Sequence, residues 1–334
     1  MTEKEYRSAR RAAKKTISGV SLRSQRALHK LFVISGKIVS QKIRTYPNGF
    51  ELTKERRADI ADLINKESLR KAVNKAVGES SRESMKILSD IDAKYVQEAV
   101  SEAKIKDIDD EGIIKTFDRM IDRILKDTVP KNQATRYVVK NRTGYNLSDV
   151  IWSSLEDFQE KIFNYVEAGI KQGLDPKKIA NGLMLYLDGD AETIRGAWGI
   201  LQPGTAAYIN RLGKAGVDYR TQRVVRTEMY NNIRKSDIQT GKMNPGATDT
   251  FNWKLSPSRQ QWNCDCPDRA ANGPYSETIA RGLIDTAHPN CFCMIEPVMK
   301  DHEQFMRDLE DYRDGVESAG AHEIERWKDL YYAA

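Results

Sequence analysis

WNCDCPDRAANGPYSETIARGLIDTAHPNCFCMIEP, residues Trp262 to Pro297, holds all four cysteines of a 334-residue chain and one of its four histidines. Cys264-Asp265-Cys266 and, after 21 intervening residues, His288-Pro289-Asn290-Cys291-Phe292-Cys293 offer five soft or borderline metal donors. Zinc takes four such donors in a tetrahedron, and pairs on tight loops supply two each. The first pair lies between Trp262 and Pro267 and the second behind Pro289, so turns converge the side chains. Ordinary buried thiols would not crowd in this way. Disulfides are disfavoured in a reducing compartment, and residues two apart on a strand point to opposite faces. The pattern predicts a structural zinc on Cys264, Cys266, His288 and Cys291, with Cys293 as the alternative to one of them. A catalytic zinc keeps a position open. Five donors saturate this site, so it reads as a staple for a loop poor in apolar residues.

Upstream of the cysteines, TFNWKL (Thr250–Leu255) reads as a strand, and Met294–Ile295 suggests another after them. A helix is expected near Arg223–Lys242, ended by Gly241 and the turn Asn244-Pro245-Gly246. Farther upstream the pattern is helical almost throughout. Met85, Leu88, Ile91, Tyr95 and Ala99 recur at three- and four-residue steps, as do Ile113, Phe117, Met120 and Ile124, and Leu155, Phe158, Ile162, Tyr165 and Gly169. Each set gives a helix one apolar face, read as core. Gly173 and Asp175-Pro176 mark a stop and a restart, and Ile179, Leu183 and Leu187 continue the next helix. Residues 189–204 read as loop.

Charge is distributed unevenly. Residues 1–45 hold twelve Lys or Arg against two Glu, whereas residues 300–334 hold ten acidic side chains against five basic. The N-terminal segment therefore reads as a basic arm, either a solvated helix or a tail that meets phosphate. Arg7, Arg10, Arg11, Lys14, Lys15, Arg23 and Arg26 are its candidate contacts to double-stranded DNA, without sequence preference. The turn Thr45–Gly49 closes the arm. The acidic tail is helical, with Phe305, Leu309 and Tyr312 as its inner face. No apolar run nears the roughly 20 residues that span a bilayer, and the N-terminus lacks the apolar stretch of a secretion signal, so a cytoplasmic, membrane-free protein is expected.

The expected fold is mainly α: an elongated helical body with a small α+β, zinc-stapled C-terminal domain. Its segments are the basic arm (1–50), the helical body (51–200), a domain joining the Arg223–Lys242 helix to the cysteine motif (201–299), and the acidic helical tail (300–334).

Arg226-Thr227-Glu228 on a helix, with Asn231 and Asn232 beyond it, followed by Cys-x-Cys and His-Pro-Asn-Cys-Phe-Cys, resembles the head morphogenesis family of phages, the minor head proteins typified by those of SPP1 and Mu. The likeness runs from about Leu155 to Pro297 and begins at the helix pair around GIKQGLDPKKIANGL. The family often has Cys-x-x-Cys where this chain has Cys264-Asp265-Cys266. The resemblance implies a non-enzymatic protein carried in the virion, inside the capsid, after assembly in the host cytoplasm. It would attach to the portal protein, work beside scaffold and major capsid proteins, and assist head assembly and packaging or delivery of DNA. Arg226, Thr227, Glu228 and Asn232 form its structural motif; their plainer reading is a helix that pairs with the adjoining zinc domain.

Other functions fit less well. An ADP-ribosyltransferase reading takes Arg226, Ser256-Pro257-Ser258 and Glu323-Ile324-Glu325, but Pro257 breaks the strand that would carry the serines. An HNH-type nuclease needs a base histidine apart from a structural metal. A cellular nucleic-acid-binding zinc protein would carry basic charge beside its zinc. Residues 262–297 hold two arginines and no lysine against four acidic residues besides Asp265.

Overall fold

The apolar stripes fold as helices, and the cysteine-bearing end adds a small sheet. The structure, a computed structural model, describes residues 1–128, 147–188, 219–256, 264–289 and 291–332. The loop expected at 189–204, the rest of the chain up to residue 218, and Ser258 lie outside the described residues. The fold is mainly α with one three-stranded antiparallel sheet near the C-terminal end. None of the described helices is long and apolar enough to cross a membrane.

The helices before the sheet are α1 (Glu3–Ile43), α2 (Lys54–Ile64), α3 (Lys66–Glu102), α4 (Asp110–Thr128), α5 (Leu147–Lys171), α6 (Pro176–Asp188) and α7 (Tyr219–Met243). Strand β1 (Ala247–Lys254) follows, then α8 (Cys266–Ala271), β2 (Tyr275–Ser276), α9 (Glu277–Asp285) and β3 (Met294–Met299). The chain closes with α10 (His302–Asp314), α11 (Ala319–Trp327) and a π-helical turn, Lys328–Tyr332.

Two compact units emerge, and α1, α3 and α7 each contribute residues to both. The second unit takes residues 23–76 and 147–225. Phe32 meets Phe158 edge-on at 4.7 Å, and Tyr165 stacks on Tyr186 at 5.2 Å. Gly169 lets α5 approach α6 closely, since a β-carbon there would lie 2.7 Å from Ile179 Cγ1. Gly173 ends α5 at φ +67°, a conformation that glycine adopts without a Cβ penalty, and Pro176 opens α6.

The first unit takes residues 1–22, 77–146 and 226–334. Strand order is β2-β1-β3, with Asn252 opposite Glu296, Trp253 opposite Ile295 and Lys254 opposite Met294. Its cores join Tyr95, Phe117 and Phe305 in one cluster, and Ile17, Met85 and Met229 in another.

This division departs from the four segments expected along the chain. The N-terminal 45 residues are no separate arm: Tyr6, Ala13, Ile17 and Val20 of α1 are buried, and farther along so are Leu28, Phe32, Val39 and Ile43. A thin apolar stripe suffices to bury one side of a helix whose other sides carry charge. The acidic tail also packs. Phe305, Leu309, Ile324 and Trp327 are buried in the first unit, while Tyr312 stays half-buried, and the Trp327 indole N–H donates to the Met243 carbonyl at 2.5 Å.

Candidate metal centre

The cysteines come together because three short elements end at one point. Cys266 is the first residue of α8, which Pro267 helps to start. His288 follows α9 by three residues, and Cys291 and Cys293 lie just before β3, outside the alternation of the strand. Cys266, Cys291 and Cys293 are buried, their sulfurs all within 4.8 Å of one another; Cys264, Cys266 and His288 form a second such group. Cys266 belongs to both. All four thiols are free of disulfides.

The distances suit a bound cation. Cys266 Sγ lies 3.6 Å from Cys291 Sγ and 3.6 Å from His288 Nε2. A tetrahedron with metal–sulfur bonds of about 2.3 Å has edges of about 3.8 Å, whereas a disulfide would bring sulfurs to about 2 Å. His288 Nδ1 lies 3.0 Å from the Pro289 carbonyl. Its N–H donates there, which leaves Nε2 toward Cys266. These residues can hold a metal ion.

Protonation follows the same geometry. Hydrogen bonds from Cys266, then Cys293, push the Cys291 thiol far below its ordinary value. The Cys266 thiol is pushed up, first by its hydrogen bond to Cys291. At Cys293 the hydrogen bond with Cys266 acts downward, but bonding to Cys291 and burial push the thiol up. Hydrogen bonding to Cys291 raises His288 to about 9. A divalent cation bound among these donors would displace the thiol protons.

The cluster is held from below by α7. Arg226, Tyr230, Arg234 and Ile238 recur every four residues and share one face. The Arg226 guanidinium lies over Phe292 at 5.1 Å, and Tyr230 meets the same ring edge-on at 5.3 Å. Arg234, 1% exposed, donates from Nη2 to the Cys291 carbonyl at 2.8 Å, from Nε to the Cys293 carbonyl at 2.9 Å, and from Nη1 to Asn231 Oδ1 at 2.7 Å. Arg269 fixes the outer side, bonding the carbonyls of Leu283 and Thr286. Neither Arg234 nor Arg269 was a sequence candidate. The four-residue step from Arg226 through Tyr230 was the available signal for Arg234.

The remaining candidates separate. Thr227, Glu228 and Asn232 are buried, and Asn232 donates to Ser81 of α3 at 3.0 Å. Arg10 is withdrawn from any phosphate: it is 2% exposed, paired with Asp92 at 2.9 Å and Asp237 at 2.5 Å. Its burial follows from its place on the same side of α1 as Tyr6 and Ala13. Arg7, Arg11 and Lys15 are exposed and Lys14 is half-buried, all in the first unit, whereas Arg23 and Arg26 belong to the second. Of the transferase candidates, Glu323 is ion-paired with Lys300 at 2.7 Å.

Comparison of the chain with protein-family models, with curated proteins and with solved structures finds no match.

Proposed function

We propose that this is a non-enzymatic assembly protein of the phage minor head type, whose sheet-bearing region is stapled by one structural zinc. The observation that carries the reading is the meeting of its two motifs in space. Arg226 of the Arg-Thr-Glu helix lies on Phe292, the residue between Cys291 and Cys293. Two sequence features that resemble one family thus form one packed object. Zinc suits the donors, since a closed set of thiolates and imidazole without an open position is the structural zinc pattern.

Burial and hydrogen bonding favour Cys266, His288, Cys291 and Cys293 as the ligand set. Cys264 is half-exposed, which makes it the spare donor in place of Cys293. The staple fixes the loop that the Arg-Thr-Glu helix packs against, and the helices supply the docking surface for a portal protein inside the capsid. Scaffold and major capsid proteins are the further partners of this reading.

Elemental analysis of protein purified under reducing, chelator-free conditions tests the staple. One zinc per chain is expected, lost in Cys266→Ser, Cys291→Ser and Cys293→Ser and kept in Cys264→Ser. Zinc well below one per chain, with all four thiols reactive in the folded protein, overturns it. Co-expression with a portal protein from the same genome tests the assembly role: the two should co-purify, and failure to associate sinks the head-protein reading.

A further inference from the structure

The two faces of the sheet look onto different surroundings. Side chains alternate along a strand. Phe251, Trp253 and Ile295 pack with Cys266, Cys291 and Cys293. Asn252, Lys254, Met294 and Glu296 line a cavity of about 670 Å³ instead. Its other wall is the first turns of α1, where Arg7, Arg11, Lys14, Lys15 and Ser18 form one stripe at three- and four-residue spacing.

This stripe carries more positive charge than the cavity neutralises. Arg7 pairs with Glu3 and Lys14 with Glu296 at 2.6 Å. Arg11 and Lys15 are exposed and have no ion-pair partner among the described residues. Lys254, also exposed, faces them from β1. Among the described residues, Glu296 is the one carboxylate in the lining. A cleft of one sign between low-dielectric walls concentrates an oppositely charged ligand.

Shape narrows the ligand. Arg7, Arg11 and Lys15 stand about 6 Å apart in sequence along the helix axis. They form a row along one side of α1. Phe292 adds an aromatic ring to the lining. A basic groove with an aromatic platform is the arrangement that tracks a strand's phosphates while its bases stack. A cavity of about 670 Å³ has room for a short stretch of a single strand.

We propose that this groove binds single-stranded nucleic acid, with phosphates along Arg11, Lys15 and Lys254 and a base against Phe292. None of these side chains is itself a metal donor.

Fluorescence anisotropy of a labelled twelve-residue oligothymidylate with the full chain tests it. Binding should weaken with salt at a log–log slope of about −2, from about −0.7 for each of three neutralised phosphates. Arg11→Glu/Lys15→Glu should lower affinity at least tenfold, and Lys254→Glu, on the opposite wall, should also lower it. Arg23→Glu/Arg26→Glu makes the same change in net charge on the same helix and should leave affinity within twofold. Circular dichroism melts should match wild type, since the altered side chains are exposed. Four results overturn the proposal: no binding at micromolar protein, equal loss in both double variants, displacement by ATP at equal phosphate concentration, or equally tight binding of a duplex of the same length. Any of them leaves the zinc content, and the reading built on it, untouched.

Discussion

Replacing Arg234 by Met separates the guanidinium's hydrogen bonds from its bulk. Methionine is unbranched, flexible and apolar, so it fills much of the same space beside Trp253, over which the guanidinium lies at 5.3 Å. What disappears is the fork onto the carbonyls of Cys291 and Cys293, at 2.8 and 2.9 Å, together with the bond to Asn231. Each bond from a charged donor contributes about 1.5–3 kcal/mol, and a buried carbonyl left bare costs about 1–3 kcal/mol. Arg234 is 1% exposed, so water does not screen this loss. Part of the cost falls on global stability and part on the cysteine loop. Removing outer-shell partners typically lowers metal affinity about 10- to 100-fold. Competition against a chromogenic chelator should show a fall in that range, with helical circular dichroism preserved and faster thiol labelling at Cys291 and Cys293. Arg234→Lys should also be impaired, because an ammonium keeps the charge without the planar fork. Zinc affinity within twofold of wild type and unchanged thiol labelling in Arg234→Met would refute the clamp.

Three further outcomes are expected. Burial raises Asp237 to about 7, with Arg10 opposing, so the folded protein holds this proton more tightly than the unfolded chain. Stability from this group is present at low pH and is lost as pH rises from about 4 through about 7. At about 1.4 kcal/mol per pH unit it amounts to up to about 3 kcal/mol between pH 5 and 7. Urea titrations should show that fall, and Asp237→Asn should flatten it; an identical pH slope in the variant contradicts the assignment. Gly169→Ala should destabilise by about 1–3 kcal/mol, because the new methyl meets Ile179 in a packed helix pair; an unchanged melting temperature would show that the pair is looser than described. Deleting residues 301–334 should leave the first unit unable to fold, since it removes Phe305, Leu309, Ile324 and Trp327 from the core; a soluble, cooperatively melting truncation would restore the view of the tail as an appendage.

Much of this architecture could be read from residue spacing. Leu155, Phe158, Ile162 and Tyr165 are buried where their periodicity placed them, and so are Met85, Leu88, Tyr95 and Ala99. The cysteine crowd announced a cluster because thiols and imidazole have few reasons to gather. The rest failed for identifiable causes. In α1 the buried stripe is thin and lies among eleven cations, so charge density outweighed periodicity. Arg10 resembled its exposed neighbours because its partners Asp92 and Asp237 are 82 and 227 residues away. Arg234 binds main-chain carbonyls, and no residue type at the far end reports such a contact. Strand β2 has two residues, too few to show an alternation.

The bond between Arg10 and Asp237 has a consequence during protein synthesis. The ribosome makes Arg10 early and reaches Asp237 after 227 further residues. At about 5–20 residues per second, that is an interval of roughly 10–45 s. The wait lengthens for the strand that carries Glu296, partner of Lys14. Throughout it, the first turns of the nascent chain present cations that have not yet met their buried carboxylates. This stretch of α1 is therefore made long before its partners and is among the last parts to be locked in place.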